Sequence, residues 1–232
     1  VAMNNAAFFN AIRPAFGGPM TQAQVNGCLS LISLCEAAGW PLKWTAYALA
    51  TAKWETAHTM QPIAEYGKGK GRKYGVKGKY GQVPYGRGYV QLTWDTGYER
   101  ADLELGLKGA LLRNFDLALT QEIAGRILIL GMSQGWFTGK KLSDYINLLR
   151  TDYRNARRII NGMDHADDIA AIAMKFEAAL KAANYGVKPT AVATTVNVPA
   201  APTVPKPITI PEPTPPKPGF WASVASFLKG KS

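Results

Sequence analysis

The stretch Leu42-Lys43-Trp44-Thr45-Ala46-Tyr47-Ala48-Leu49-Ala50-Thr51-Ala52-Lys53-Trp54-Glu55-Thr56-Ala57 decides the reading of the fold. It follows Pro41, whose fixed φ suits a helix start, and its Ala, Leu and aromatic content favours a helix over residues 42–57. The stretch is apolar on nearly every side, as expected of a helix surrounded by others. Of its three charged residues, Lys43 sits in the first turn and Lys53 and Glu55 in the last turns.

Outward from it, the same 3.6-residue spacing predicts helices over 5–16, 96–105, 117–134, 143–161 and 167–183. Thr21-Gln22-Ala23-Gln24 reads as a capping box opening another helix that runs to Gly39. Asp116, Ser143 and Asp164 read as caps or near-cap residues. Cys28 and Cys35 fall in the Thr21–Gly39 helix, about 10 Å apart along its axis. That is beyond disulfide reach, so they read as small buried apolar groups.

One segment, 62–88, fits no helix and is dense in Gly, Lys and Tyr. A loop of that length inside a domain is functional or disordered. The expected architecture is therefore mainly α, two-lobed, with a central cleft beside this Gly/Lys-rich loop or a small β hairpin. The domain spans 4–185. Residues 186–219 form a Pro-rich extended linker, since ten of the fifteen prolines fall between Val187 and Gly219. Residues 220–232 form a short amphipathic tail, with Phe220, Trp221, Val224, Phe227 and Leu228 on one face. No apolar run approaches the roughly 20 residues of a membrane-spanning helix.

Two carboxyl groups stand in contrasting surroundings. Glu55 closes the apolar helix, where greasy neighbours and the negative end of the helix dipole disfavour its charged form. Glu65 opens the loop, and from Tyr66 to Tyr89 there are seven basic residues and no acidic one. Those cations would keep Glu65 ionised. Such a split suits one carboxyl donating a proton and the other accepting one. Two ordinary surface glutamates are the competing reading.

Tyr85-Gly86-Arg87-Gly88-Tyr89-Val90-Gln91-Leu92-Thr93-Trp94 follows. Paired glycines around an Arg allow close backbone approach. On an extended segment Gln91 and Thr93 would point the same way, and a Thr hydroxyl can hold a water against a carboxylate. His58 lies three residues after Glu55, but the other histidine, His165, is distant in sequence. A metal site needs three or four ligands, so neither a metal nor a cofactor is expected.

Together, Trp54-Glu55-Thr56-Ala57, Glu65, the Tyr85–Thr93 run and Arg158-Ile159-Ile160-Asn161-Gly162 resemble glycoside hydrolase family 19. The likeness is to its phage endolysin branch more than to plant chitinases, and it runs in order through most of the folded part. The resemblance implies a lysozyme-like fold. It implies Glu55 as general acid, Glu65 as general base, and Thr93 as the residue positioning the attacking water. Gln91 and Asn161 correspond to sugar-binding positions, and Tyr85, Arg87 and Tyr66 belong to the same substrate-binding group, Arg87 through site architecture or sugar contact. It implies inversion without a covalent intermediate, with a gap of roughly 6.5–9.5 Å between the carboxyls. Two departures stand out: Trp54 replaces a frequent His, and Met163 follows the Asn-Gly turn.

The expected reaction is hydrolysis of the β-1,4 bond between N-acetylmuramic acid and N-acetylglucosamine. Chitin hydrolysis and lytic transglycosylation are the nearest alternatives. A net charge of +11 calls for an anionic partner. The partner expected is bacterial peptidoglycan, with an anionic outer-membrane or membrane surface met through the basic loop and C-terminal tail. A virion protein is a further partner for the tail. A nucleic-acid-binding module has no use for Glu65 inside a basic region, where an acid weakens phosphate contact. A monomer is expected, made in the host cytoplasm without a signal peptide and acting on the wall in the periplasm, or carried in the virion.

Overall fold

The computed structural model describes residues 3–186. Apart from Gly186, the Pro-rich stretch expected over 186–219 and the tail expected over 220–232 lie outside the described residues.

Asn4 caps α1 (Asn5–Ile12), its side chain accepting from Ala7 N–H at 3.0 Å. The helix expected over 5–16 tightens at Pro14 into a 3-10 turn, Arg13–Phe16, because proline lacks the N–H an α-helix needs there. The capping box forms as expected on α2 (Gln22–Ala37): Thr21 Oγ1 accepts from Gln24 N–H, and Gln24 Oε1 accepts from Thr21 N–H. Pro41 opens α3 (Leu42–Glu55), which is buried along most of its length.

Helix α3 packs most extensively on α8 (Ala166–Ala182), which also covers α1. Phe8 stacks on Phe176 with ring centroids 6.3 Å apart. A second group joins α4 (Asp95–Glu104), the one-turn α5 (Ala110–Arg113) and α6 (Gln121–Gln134) through a 3-10 segment, Phe115–Leu119. Helix α2 packs on α6 and on α3, linking the two groups. Cys28 and Cys35 are free and buried.

The fold is mainly helical with one small sheet, in line with the expected class. β1 (Ile63–Ala64) and β2 (Arg87–Gly88) pair antiparallel, Ile63 opposite Gly88 and Ala64 opposite Arg87. The long loop between them folds back on itself through short turns. A Cβ at Gly75 would meet the Gly69 carbonyl oxygen at 1.8 Å, so the two turns touch through backbone.

Two of the expected helices differ from the reading. The helix expected over 143–161 is broken into α7 (Leu142–Tyr145), a tight hairpin closed by an Ile146–Thr151 bridge, and a 3-10 turn, Asn155–Ile159. Asn147 and Asp152 break it, because their side chains bond to nearby backbone N–H groups in competition with the helix ladder. The helix expected from 117 starts at Gln121, capped by Thr120, with the 3-10 segment ahead of it capped by Asn114. Asp164 stands one residue ahead of the N-cap position of α8, which His165 occupies in a left-handed conformation without a side-chain capping bond.

Candidate active site

Glu55 is the last residue of α3. The helix stops because Ala57 and His58 turn left-handed, at φ 50° and 67°, and Met60 does the same at 56°. Three non-glycine residues held in that region within four positions are strain the surroundings must sustain. Thr56 helps sustain it: its Oγ1 donates to Ala52 O at 2.7 Å and accepts from Met60 N–H at 3.1 Å.

The Glu55 side chain is 4% exposed. Its Oε1 accepts from Arg157 Nη1 at 2.5 Å, and Arg157 is itself 2% exposed. Arg157 also donates through Nε to Asp164 O at 3.1 Å, with Nη2 3.5 Å from the Asp164 carboxylate. Burial raises the Glu55 carboxyl above its usual range, and Asp164 adds to that; Arg157 and His165 pull the other way. Asp164 gives Arg157 a second anionic partner, so the cation stays compensated when Glu55 carries a proton. Glu55 Oε2 has no hydrogen-bond partner among the described residues, so one carboxyl oxygen is clamped by Arg157 and the other is not.

Glu65 directly follows β1 and extends its pairing, its N–H donating to Gly86 O at 2.8 Å. Its carboxylate accepts from Tyr74 Oη at 3.0 Å and from Gly86 N–H at 3.2 Å. These donors are a phenol and an amide, where the sequence pointed to the loop's seven basic residues. Lys68, Lys70, Lys73 and Lys77 are exposed. Tyr74 is buried, and that burial together with the Glu65 charge raises its hydroxyl well above the phenol range, keeping it a donor.

The Tyr85–Thr93 run is not the extended segment expected. Arg87 and Leu92 exchange both backbone hydrogen bonds, at 3.1 and 2.8 Å, closing a turn in which Gln91 has φ 56°. Gln91 is therefore buried, and its amide nitrogen donates to Ile63 O and Gly88 O, both at 3.1 Å. Thr93 is half-buried and donates to Gln91 O at 2.6 Å, which leaves its oxygen free to accept.

Arg87 is 5% exposed and acts as architecture. It pairs with Asp116 at 2.8 Å, donates to Val83 O, Tyr85 O and Tyr98 Oη, and lies 3.5 Å over the Tyr85 ring. Tyr85 is buried beneath it. Tyr66 is 57% exposed beside Glu65. Asn161 is half-buried, and its side-chain amide has no hydrogen-bond partner among the described residues; its backbone N–H donates to Arg157 O at 3.1 Å. His58 and His165, distant in sequence, both lie against Trp54, with ring centroids 6.3 and 4.7 Å from it. Among the described residues no three potential ligands gather around a metal position.

Sequence reasoning missed Arg157. A continuous helix over 143–161 gives no reason to single it out from Arg158; the break after Tyr145 turns it inward. It also missed the donor roles of Tyr74 and Gly86, since residues 74 and 86 meet Glu65 only through the turns between β1 and β2.

No family profile matches the chain, and no curated protein matches it in sequence. Among solved structures, chitinase C from Streptomyces griseus HUT6037 is similar, with a TM-score of 0.56 and 20% identity over 77% of this chain and 76% of that one. A likeness at that identity is one of fold.

Proposed function

We propose that the chain is an inverting glycoside hydrolase that cleaves the β-1,4 bond between N-acetylmuramic acid and N-acetylglucosamine in peptidoglycan. One observation carries the reading: Glu55 is a buried carboxyl of raised pKa with Oε1 held by Arg157 and Oε2 without a hydrogen-bond partner among the described residues. That is the equipment of a general acid. In the proposed reaction Glu55 passes its proton to the glycosidic oxygen as the bond to the anomeric carbon breaks. A water adds to that carbon and gives a proton to Glu65. Thr93, whose own proton is committed to Gln91 O, accepts a hydrogen bond from that water and orients it. Asn161 and Tyr66 offer the sugar contacts, while Arg87, Tyr85 and Gln91 shape the turn that carries them.

The structural likeness to a chitinase supports a second reading, hydrolysis of chitin. The charge of +11 favours peptidoglycan, whose stem peptides and lactyl groups supply carboxylates, over uncharged chitin. In this reading the chain acts on the wall as a phage-type lytic enzyme.

Purified lipid-free murein sacculi and chitin oligosaccharides, each incubated with the full chain and analysed by mass spectrometry, test the proposal. Sacculi are expected to yield reducing N-acetylmuramic acid ends, at a rate that falls as salt screens the charges. Anhydro ends would assign lytic transglycosylation instead. Faster cleavage of chitin than of sacculi would assign chitinase activity.

A further inference from the structure

The hairpin between α7 and the 3-10 turn carries two leucines that stand bare among the described residues. Leu148 and Leu149 are 104% and 99% exposed, at the very tip. Singly exposed apolar residues are ordinary; an adjacent pair on a rigid support is not. The support is well tied. Asn147 Oδ1 accepts from Leu149 N–H and Arg150 N–H, both at 3.0 Å, and Asn147 Nδ2 donates to Ser143 O. Trp44 Nε1 donates to Ile146 O, and Lys43 Nζ to Thr151 Oγ1, both at 2.7 Å, pinning the hairpin's base to α3. Arg150 pairs with Asp152.

The surroundings are cationic. Lys140, Lys141 and Arg158 are exposed and form no ion pair among the described residues, while Lys43, at the hairpin's base, lies within electrostatic reach of Glu177. The acids nearby are fewer than the cations: Asp152 pairs with Arg150, and Asp144, which accepts from Lys141 N–H, is the remaining exposed carboxylate on this element.

We infer that the Leu148–Leu149 tip is a docking element for an anionic lipid surface. The leucines enter the acyl boundary while Lys43, Lys140, Lys141 and Arg158 meet the headgroups. Interfacial binding needs this pairing of buried apolar area with attraction to anionic lipid. A second copy of the chain is a poor occupant. Two side chains fall far short of the roughly 800 Å² per partner of a stable interface, and each copy would bring the same cations.

Flotation of the full chain with vesicles of phosphatidylglycerol and phosphatidylethanolamine, against phosphatidylcholine vesicles, tests the inference. Binding is expected only to the anionic vesicles, and Leu148→Ser/Leu149→Ser is expected to weaken it at least about tenfold. Both leucines are exposed, so the double variant should keep its melting temperature and its turnover of lipid-free sacculi.

A Leu149→Cys variant carrying an environment-sensitive fluorophore separates the tip from the tail; Cys28 and Cys35 are buried and stay unlabelled. Blue-shifted emission on adding anionic vesicles is expected. No vesicle binding by the wild type, equal binding by the double variant, or binding without an emission shift would overturn the inference. So would sedimentation showing a wild-type dimer that the double variant loses.

Discussion

Glu55→Gln is expected to lower sacculus turnover by about 10²–10⁴-fold while leaving the protein folded. The amide keeps the shape of the carboxyl and can still accept from Arg157 Nη1, so the 2.5 Å contact survives as a weaker bond. What it lacks is a proton to give. Asp164 remains to balance Arg157, so no uncompensated cation is created. A stability comparison separates a catalytic loss from a folding loss. Because the folded-state value of Glu55 is raised, its contribution to stability is complete below the unfolded carboxyl range and is lost as pH climbs through the folded value. Glu55→Gln has nothing to ionise there. Its melting temperature should match the wild type in acid and equal or exceed it near neutrality. Wild-type turnover should fall through the same raised value, because an ionised Glu55 cannot act as an acid.

Arg157→Met is expected to cost about 3–5 kcal/mol in unfolding free energy near neutral pH. It removes the cation from a pair in which both side chains are almost wholly buried. Glu55 is left either charged without a partner or protonated at a cost that grows with pH, and Asp164 loses its contact as well. Losing the cation pushes Glu55 further up, so the deficit should widen as pH rises from the carboxylate range toward neutrality. Urea unfolding of wild type and variant at several pH values measures it. A deficit independent of pH would mean that the loss is one of packing. Arg157→Lys should recover part of the stability, since an ammonium restores charge but cannot reach Glu55 and Asp164 together from one planar fork.

The parts of this molecule legible in its sequence are those set by local chemistry. The Thr21–Gln24 capping box, the Pro41 start and the apolar surround of α3 formed as read, because each depends on residues within a few positions. Glu55 at the closing turn of α3, and Glu65 at the mouth of the basic loop, could be picked out for the same reason. What could not be read depends on distant partners. Arg157 comes from the far end of the chain, and its inward turn follows from Asn147 and Asp152 outcompeting the helix ladder. Helical periodicity alone gave no warning of that competition. The turn at Gln91 is similar: its buried amide is claimed by Ile63 O and Gly88 O, a pairing that exists only once β1 and β2 meet. The two fully exposed leucines went unremarked for the same reason, since the hairpin that carries them replaces part of the expected helix.

The claim on which the rest depends is that burial keeps the Glu55 carboxyl protonated beyond the usual range, in spite of the guanidinium beside it. Carbon NMR of the full chain labelled at glutamate side-chain carboxyls measures this, with Glu55→Gln identifying the signal. We expect one resonance, missing from the variant, to titrate clearly above the other glutamates. If the resonance missing from Glu55→Gln titrates with the others or below them, Glu55 is an ordinary ion-pair partner of Arg157 and the account of its chemistry is wrong.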